Sequence, residues 1–310
     1  MHRTISCLPQ NTKHRAQLRD ASLLGERRRV RHSQRMARIL ALSSHVAFGS
    51  VGLAAIVPAL HWLGHEVMAF PTVILSSHPG YPHYAGGEVE VGRLQAMLDA
   101  AEANGWLADT AAILTGYLPT PEHVRFARTA VERVRSANAA AIYLCDPVFG
   151  DEPEGMYLST GTAEATRDQL LPLATVTTPN TFELSWLSGG DPVDGPESAR
   201  RAAAALNVPT VLATSIPASD NRLANILFHN NQGLACFVRR RVSAPHGTGD
   251  LLSSMFLGNQ LNDFSPAYCL GASASAVDAS VAASMGRDEL PLAGAGALWA
   301  NARVLPAAST

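Results

Sequence analysis

The chain has 310 residues, 47% hydrophobic and 16% charged, with a formal net charge of −2. That profile suits a soluble globular protein with a large core, built as one α/β domain of about 270 residues or as two smaller ones. No uninterrupted apolar run reaches the roughly 18 residues a membrane span needs. The only lysine is Lys13, which excludes a Walker A lysine, a protein-kinase lysine and a Schiff-base lysine in the body, so any phosphate clamp must use backbone amides, arginine or metal.

Residues 1–35 hold nine of the 24 Lys and Arg but only two acids, Asp20 and Glu26, leaving 15 basic against 24 acidic side chains in the rest. An acidic body argues against nucleic acid as a partner. The basic segment lacks the apolar stretch of a secretory signal and faintly resembles an organelle transit peptide. Met36-Ala37-Arg38-Ile39 reads as a natural start, so 1–35 are expected to be a disordered or mis-assigned extension and 36–310 the folded domain. Cys7, Cys145, Cys236 and Cys269 have neither metal-ligand nor disulfide-scaffold spacing, and a reducing cytoplasm is expected.

From the start of the body, 38–42 reads as a short buried strand, 53–63 as a helix and 66–73 as a second strand. The segment 76–83 is too rich in Pro and Gly for regular structure. Helices are then expected over 91–104, 122–137, 162–171, 182–187 and 197–206, and strands over 110–116, 140–145, 174–177 and 210–213. Residues 224–228 and 234–238 read as an antiparallel pair turning at Asn230-Asn231-Gln232-Gly233, with alanine-rich helix beyond. Alternating strands and helices predict an α/β fold, a mainly parallel doubly wound sheet with helices on both faces. Ligand loops then lie at the carboxyl ends of the strands, where Ser44, Thr72, Tyr117, Asp146, Thr178 and Thr214 gather.

The most informative segment is Gly247-Thr248-Gly249-Asp250, which runs into the apolar, helix-like stretch Leu251, Leu252, Met255 and Phe256. A glycine turn opening a helix offers unpaired amides and a partial positive charge to a phosphate, and glycines admit close backbone approach. Asp250 beside such an anion site could take a proton from an attacking alcohol; alternatively it merely complements the helix start. Asp146 and Asp151 follow a strand around a turn, a pairing that suits Mg²⁺ near phosphates, or a plain Asp-rich turn. Asn180 and Glu183 are spaced to share a face at a helix start, which by itself reads as a capping box.

Taken in order, several segments resemble the pyridoxal kinases of the ribokinase superfamily, from about Ile39 to Met285. They are Ser44-His45-Val46 with Gly49 and Gly52; Thr72-Val73 with Ser77-His78-Pro79-Gly80-Tyr81; Thr115-Gly116-Tyr117; Asp146-Pro147-Val148 with Gly150-Asp151; Leu171-Pro172-Leu173-Ala174; Thr178-Pro179-Asn180 with Phe182-Glu183-Leu184; and Gly247-Thr248-Gly249-Asp250. The resemblance implies a ribokinase-like fold, usually a homodimer, that moves the ATP γ-phosphate to the 5′-hydroxymethyl group of pyridoxal. It implies that Ser44 and Thr72 meet the polar edge of the pyridine ring, that Val51 and Tyr117 pack on its faces, and that the loop with His78 and Tyr81 closes over it. Asp250 is the implied general base, and Gly247, Thr248 and Gly249 the anion hole. Asp146, Asp151, Asn180 and Glu183 would surround Mg²⁺ and phosphates, with K⁺ or Na⁺ nearby. Residues 151–157, including Tyr157, would be a flap over ATP, with Thr178, Thr214 and Ser215 at the nucleotide.

Leu53 stands where many relatives carry Asn, and Leu75-Ser76-Ser77-His78 replaces their Phe-Ser-Asn-His, both near the vitamin pocket. Met156 stands where some relatives have a reactive Cys. Two alternatives stay open: a kinase for a hydroxymethylpyrimidine, whose relatives tend to carry Cys in place of Asp250, and a non-catalytic vitamin B6-binding protein on the same fold.

Overall fold

Ile39, Leu40, Ala41 and Leu42 are all fully buried, yet they belong to two different apolar clusters. Successive side chains on a strand point to opposite faces, so a strand buried at every position needs cover on both sides. That requirement sets the layers of the molecule, which is described by a computed structural model for residues 36–229, 232–293 and 296–310. The expected N-terminal extension and the Asn230-Asn231 half of the expected hairpin turn lie outside the described residues.

The strands are β1 (Arg38–Val46), β2 (Glu66–Leu75), β3 (Gly86–Glu88), β4 (Thr110–Thr115), β5 (Ile142–Cys145), β6 (Gly150–Asp151), β7 (Gly155–Met156), β8 (Val176–Thr177), β9 (Thr210–Ala218), β10 (Arg222–His229), β11 (Gln232–Arg239) and β12 (Ala308–Ser309). Ten of them form one sheet in the order β12-β11-β10-β9-β8-β5-β4-β1-β2-β3, while β6 and β7 pair separately. Neighbours from β2 to β9 run parallel; β3 and β10 to β12 add antiparallel edges.

One face is covered by α2 (Val91–Ala103) and α3 (Pro121–Ala137), whose Leu94, Leu98, Val124 and Val131 meet Leu40, Leu42 and Ile113. The other carries α1 (Leu53–Trp62), α7 (Thr248–Leu261) and α8 (Pro266–Ala283), whose Ile56, Leu60, Phe256 and Leu270 meet Ile39, Ala41 and Leu114. A third cluster joins α5 (Thr181–Leu187) and α6 (Pro196–Ala205) to β9 and β10. The remaining helices are α4 (Thr160–Ala165) and the short α9 (Gly296–Ala300).

The structure differs from the sequence expectation where elements are short or strained. The helix expected over 162–171 is α4 followed by a π turn, Thr166–Leu170, and a 3₁₀ turn, Leu171–Leu173. Pro172 lacks an amide and crowds the residue before it, so a regular helix cannot continue there. β3 and the β6–β7 hairpin are too short and glycine-rich to show a period of two. β9 extends five residues beyond its expected end at Ala213, so Thr214 lies inside the strand. Residues beyond Arg239 are not all helix, since Ala308 pairs with Ala235 and Ser309 with Leu234 at the sheet edge. Among the described residues, no helix is long and apolar enough to cross a membrane.

Candidate active site

The direction of strand succession reverses between β1 and β4, which flank each other at the middle of the sheet. Such a switch point opens a crevice at the carboxyl ends of the strands, where ligands of doubly wound sheets bind. Asp250 lies there. Its Oδ2 accepts a 2.8 Å hydrogen bond from the Gly52 amide, just after β1. A Cβ placed on Gly116, just after β4, would stand 3.8 Å from its Oδ1.

The turn before Asp250 depends on Gly247. That residue caps α7 with φ 90°, a left-handed conformation that favours glycine. A Cβ there would overlap the Ser50 carbonyl oxygen and press on Val51. No side chain caps α7, so its first-turn amides are left without that partner. Gly52 opens α1 with φ 55°, and a Cβ on it would meet Ser44. Two glycine-opened helices therefore meet at Asp250, with Ser44 and Val51 in the adjoining walls.

Sheet order divides the remaining expected residues. On the β1–β2–β4 side, the Thr72 hydroxyl donates to the Tyr117 carbonyl at 2.7 Å, and the Tyr117 amide donates to Ser43 Oγ at 3.1 Å. Thr72 is fully buried, so its first task is to hold Tyr117. Burial, followed by Glu88 and Tyr84, raises the Tyr117 pKa and keeps the phenol neutral. His78 and Tyr81 lie on the loop between β2 and β3, their rings 4.8 Å apart.

On the β5–β8–β9 side, buried Asp146 follows β5, and its Oδ1 accepts from the Thr178 hydroxyl at 2.8 Å. Burial, then the Asp250 charge, pushes its pKa up to about 7. Asp250 is itself raised to about 6 by burial, against the stabilising Gly52 amide; its side chain retains a solvent-facing edge, which tempers that effect. Glu183 is raised well above the usual range by burial and then by Asp146. Its oxygens accept from the Asn180 amide at 2.9 Å and the Phe149 amide at 3.2 Å. Asn180 Oδ1 accepts from the Glu183 amide, and its Nδ2 donates to the Gly150 carbonyl at 2.8 Å. The capping box foreseen as the plain reading is complete, and it also ties α5 to the β6–β7 hairpin.

That hairpin carries Asp151, which is exposed, and leads to Tyr157. The Tyr157 ring is half exposed, but desolvation and then Glu183 and Asp151 raise its phenol pKa. Thr214 donates its amide to the Pro179 carbonyl at 2.9 Å, and Ser215 holds φ 58° at a bulge beside Asn225. Among the described residues, no three His, Cys, Asp or Glu side chains form a ready-made metal site. The donor chemistry nevertheless fits a divalent cation: Asp146, Glu183 and Asp250 crowd negative charge into a poorly solvated space that a cation would relieve.

Beside the glycine turn opens a cavity of about 710 Å³, lined among others by His78, Tyr81, Arg239, Arg240, His246 and Arg287. This basic wall, Ser43 and Glu289 are not among the site residues expected from the sequence. Glu289 Oε2 accepts from the Ser50 amide at 2.9 Å, and Oε1 lies 3.1 Å from His78 Nε2. An arginine run before a glycine turn was a usable signal; nothing local to Glu289 marks it, because its partners lie more than 200 residues away in the chain.

The model of the phosphomethylpyrimidine kinase family matches residues 94–289. The pyridoxal kinase of Corynebacterium diphtheriae is 34% identical over 77% of this chain and 86% of its own length. The chain belongs to the pyridoxal kinase family. A second relative, the pyridoxine/pyridoxal/pyridoxamine kinase of Bordetella avium, is 34% identical over 69% of this chain and 74% of its own. The pyridoxal kinase of Leishmania donovani, solved with ADP and pyridoxine, superposes with a TM-score of 0.82 at 27% identity, covering 88% of this chain and 99% of that one. The ribokinase-like family architecture therefore extends across nearly the whole described body, as the motif order implies.

Proposed function

We propose that this kinase transfers the γ-phosphoryl group of ATP to the 5′-hydroxyl of pyridoxal, yielding pyridoxal 5′-phosphate and ADP. The observation that carries this reading is Asp250, held by the Gly52 amide at the mouth of an uncapped glycine turn. An alcohol is a poor nucleophile at neutral pH, so a carboxylate base poised near pH 6 beside phosphate-facing amides supplies what the transfer needs. The 5′ oxygen attacks the γ phosphorus, the bond to the β–γ bridging oxygen breaks, and the hydroxyl proton passes to Asp250. The amides of Gly247, Thr248 and Gly249 stabilise the charge on the moving group.

The vitamin lies on the β1–β2–β4 side, with its polar edge at Ser44 and Thr72 and its faces at Val51 and Tyr117, under the His78–Tyr81 loop. ATP lies on the β5–β8–β9 side at Thr178, Thr214 and Ser215, with its phosphates toward the arginine-lined cavity and under the hairpin that ends at Tyr157. Asp146 and Asp151 would hold Mg²⁺, which when bound with ATP offsets phosphate charge; Glu183, whose oxygens each accept an amide, adds field from behind, with Asn180 fixing it. A monovalent cation, K⁺ or Na⁺, would share that acidic end.

Residues 36–310 are the catalytic unit in this reading, and a chain starting at Met36 is expected to work as well as the full one. The exposed apolar side chains Phe48, Ile74 and Tyr84 near the β3 edge support a homodimer, which sedimentation would test. The described cysteines Cys145, Cys236 and Cys269 are all free thiols, which supports a reducing, cytoplasmic setting.

The deciding experiment is a coupled ADP-release assay with Mg²⁺-ATP and pyridoxal, pyridoxine, pyridoxamine or hydroxymethylpyrimidine, with the absorbance of the phosphorylated product followed alongside. Turnover of pyridoxal is expected, and the vitamer ranking reports what Leu53 and Ser77 do to the pocket. Because the matching family model is that of a phosphomethylpyrimidine kinase, preferential turnover of the pyrimidine would move the assignment there. Vitamer binding without any turnover would leave a binding protein.

A further inference from the structure

We infer that Glu289 is a positioning residue that latches the substrate loop, residues 76–85, onto the segment that holds the catalytic base; the inference rests on the kinase reading above. Glu289 follows α8, far from every motif. Its Oε2 accepts from the Ser50 amide at 2.9 Å, its Oε1 stands 3.1 Å from His78 Nε2, and its charge lies close enough to Tyr81 to help raise that phenol's pKa, after burial. One residue later, the Leu290 carbonyl accepts from Ser50 Oγ at 2.8 Å. The fit is close: a Cβ on Gly49 would come within 2.8 Å of Oε1, so Gly49 leaves room for the carboxylate.

The chain of contact runs on from Ser50. Its carbonyl packs on Gly247, where no Cβ fits, and two residues further the Gly52 amide binds Asp250. Glu289 thus lies between the loop over the vitamin and the turn that carries the anion hole and base. One carboxylate thus accepts from Ser50 and lies against His78 on a second segment, and a charged acceptor fixes geometry more strongly than a neutral one.

The His78 end is built to let go. The Gly80 amide donates to Nδ1 at 3.1 Å, which leaves the proton of the neutral ring on Nε2, facing Glu289. His78 Nε2 and Glu289 Oε1 are close but too poorly aligned for a full hydrogen bond. The His78 ring also rests against His246, centroids 4.5 Å apart, immediately before Gly247. A strong anchor at Ser50 and a weaker contact at His78 suit a loop that must open for vitamin and product and then seat reproducibly to exclude water.

The test compares wild type, Glu289→Ala and Glu289→Gln by steady-state kinetics, melting temperature and amide hydrogen exchange. Glu289→Ala is expected to raise the pyridoxal KM about tenfold, to leave the ATP KM within about twofold, and to release more than one ADP per pyridoxal 5′-phosphate formed as water enters. Exchange should quicken at 76–85 and 49–52 and stay unchanged in the central strands. Glu289→Gln, which keeps an acceptor for the Ser50 amide, should fall between the two. Equal rises in both KM values, faster exchange throughout the sheet, unchanged exchange in the loop, or Gln behaving no better than Ala would each overturn the latch. Should Glu289→Ala fail to fold, exchange in Glu289→Gln decides alone. Wild type that binds but does not phosphorylate pyridoxal would sink the kinase reading, while loop exchange in the variants would still report on the latch.

Discussion

Helices α5 and α7 begin alike in sequence, each with a small residue followed three positions later by an acid: Asn180 and Glu183, Gly247 and Asp250. Their ends are used in opposite ways. At α5 the Asn180 side chain accepts from the Glu183 amide and Glu183 accepts from the Asn180 amide, so the first turn satisfies itself. At α7 the capping position is a left-handed glycine without a side chain, and Asp250 turns away from its own helix to the Gly52 amide. The first N-terminus is closed and serves as a strut for the hairpin; the second has no side-chain cap, the arrangement that suits an anion. A polar cap stabilises a helix start, and leaving it out is what makes the start available to a ligand.

Asp250→Asn should break the contrast most strongly. Asparagine can still accept from the Gly52 amide but cannot take a proton, so kcat should fall by about 10²–10⁴-fold while vitamer binding and melting temperature persist; an undiminished kcat in the coupled assay would place the base elsewhere. Gly247→Ala comes next, because a side chain at φ 90° and against the Ser50 carbonyl should cost about 1–3 kcal/mol in urea unfolding, together with most turnover. Gly249→Ala meets nothing within 4 Å and is its control: stability should hold or rise by up to about 1 kcal/mol.

The pH dependence sharpens the same contrast. With Asp250 as the proposed base, which must be ionised, kcat/KM should fall about tenfold per pH unit below about 6, the pKa to which Asp250 is raised, and level off above it. Stability runs the other way for Asp146. Its folded pKa of about 7 lies above its unfolded value near 4, so the native state binds the proton more tightly and loses stability as pH rises through that window. Asp146→Asn, which can still accept from Thr178, should therefore be more stable than wild type at pH 8, by about 1–3 kcal/mol, with little gain at pH 4. A difference that does not change with pH would mean the carboxyl is not strained. The smallest effect is expected at the closed helix: Asn180→Ala should cost about 1 kcal/mol and lower the melting temperature by about 2–4 °C.

Much of this protein was legible in its residues. Alternating apolar runs and helical periods fix a doubly wound sheet, because backbone hydrogen bonding and two-sided burial leave few other arrangements. The glycine turn is legible as a helix start without a side-chain cap, since its glycines and the nearby acid are consecutive residues. Local pattern could not say which of two similar helix starts would be closed. That depended on whether a distant donor drew the acid away, and Gly52 lies 198 residues from Asp250. The same holds for Glu289, which meets Ser50 across 239 residues, and for the raised pKa values of Asp146 and Glu183, which exist only once folding has removed water and brought like charges together. Covalent neighbours thus settled the elements and the uncapped glycine turn, whereas desolvation and long-range contact, which no local window contains, decided the charge state and alignment of the groups around it.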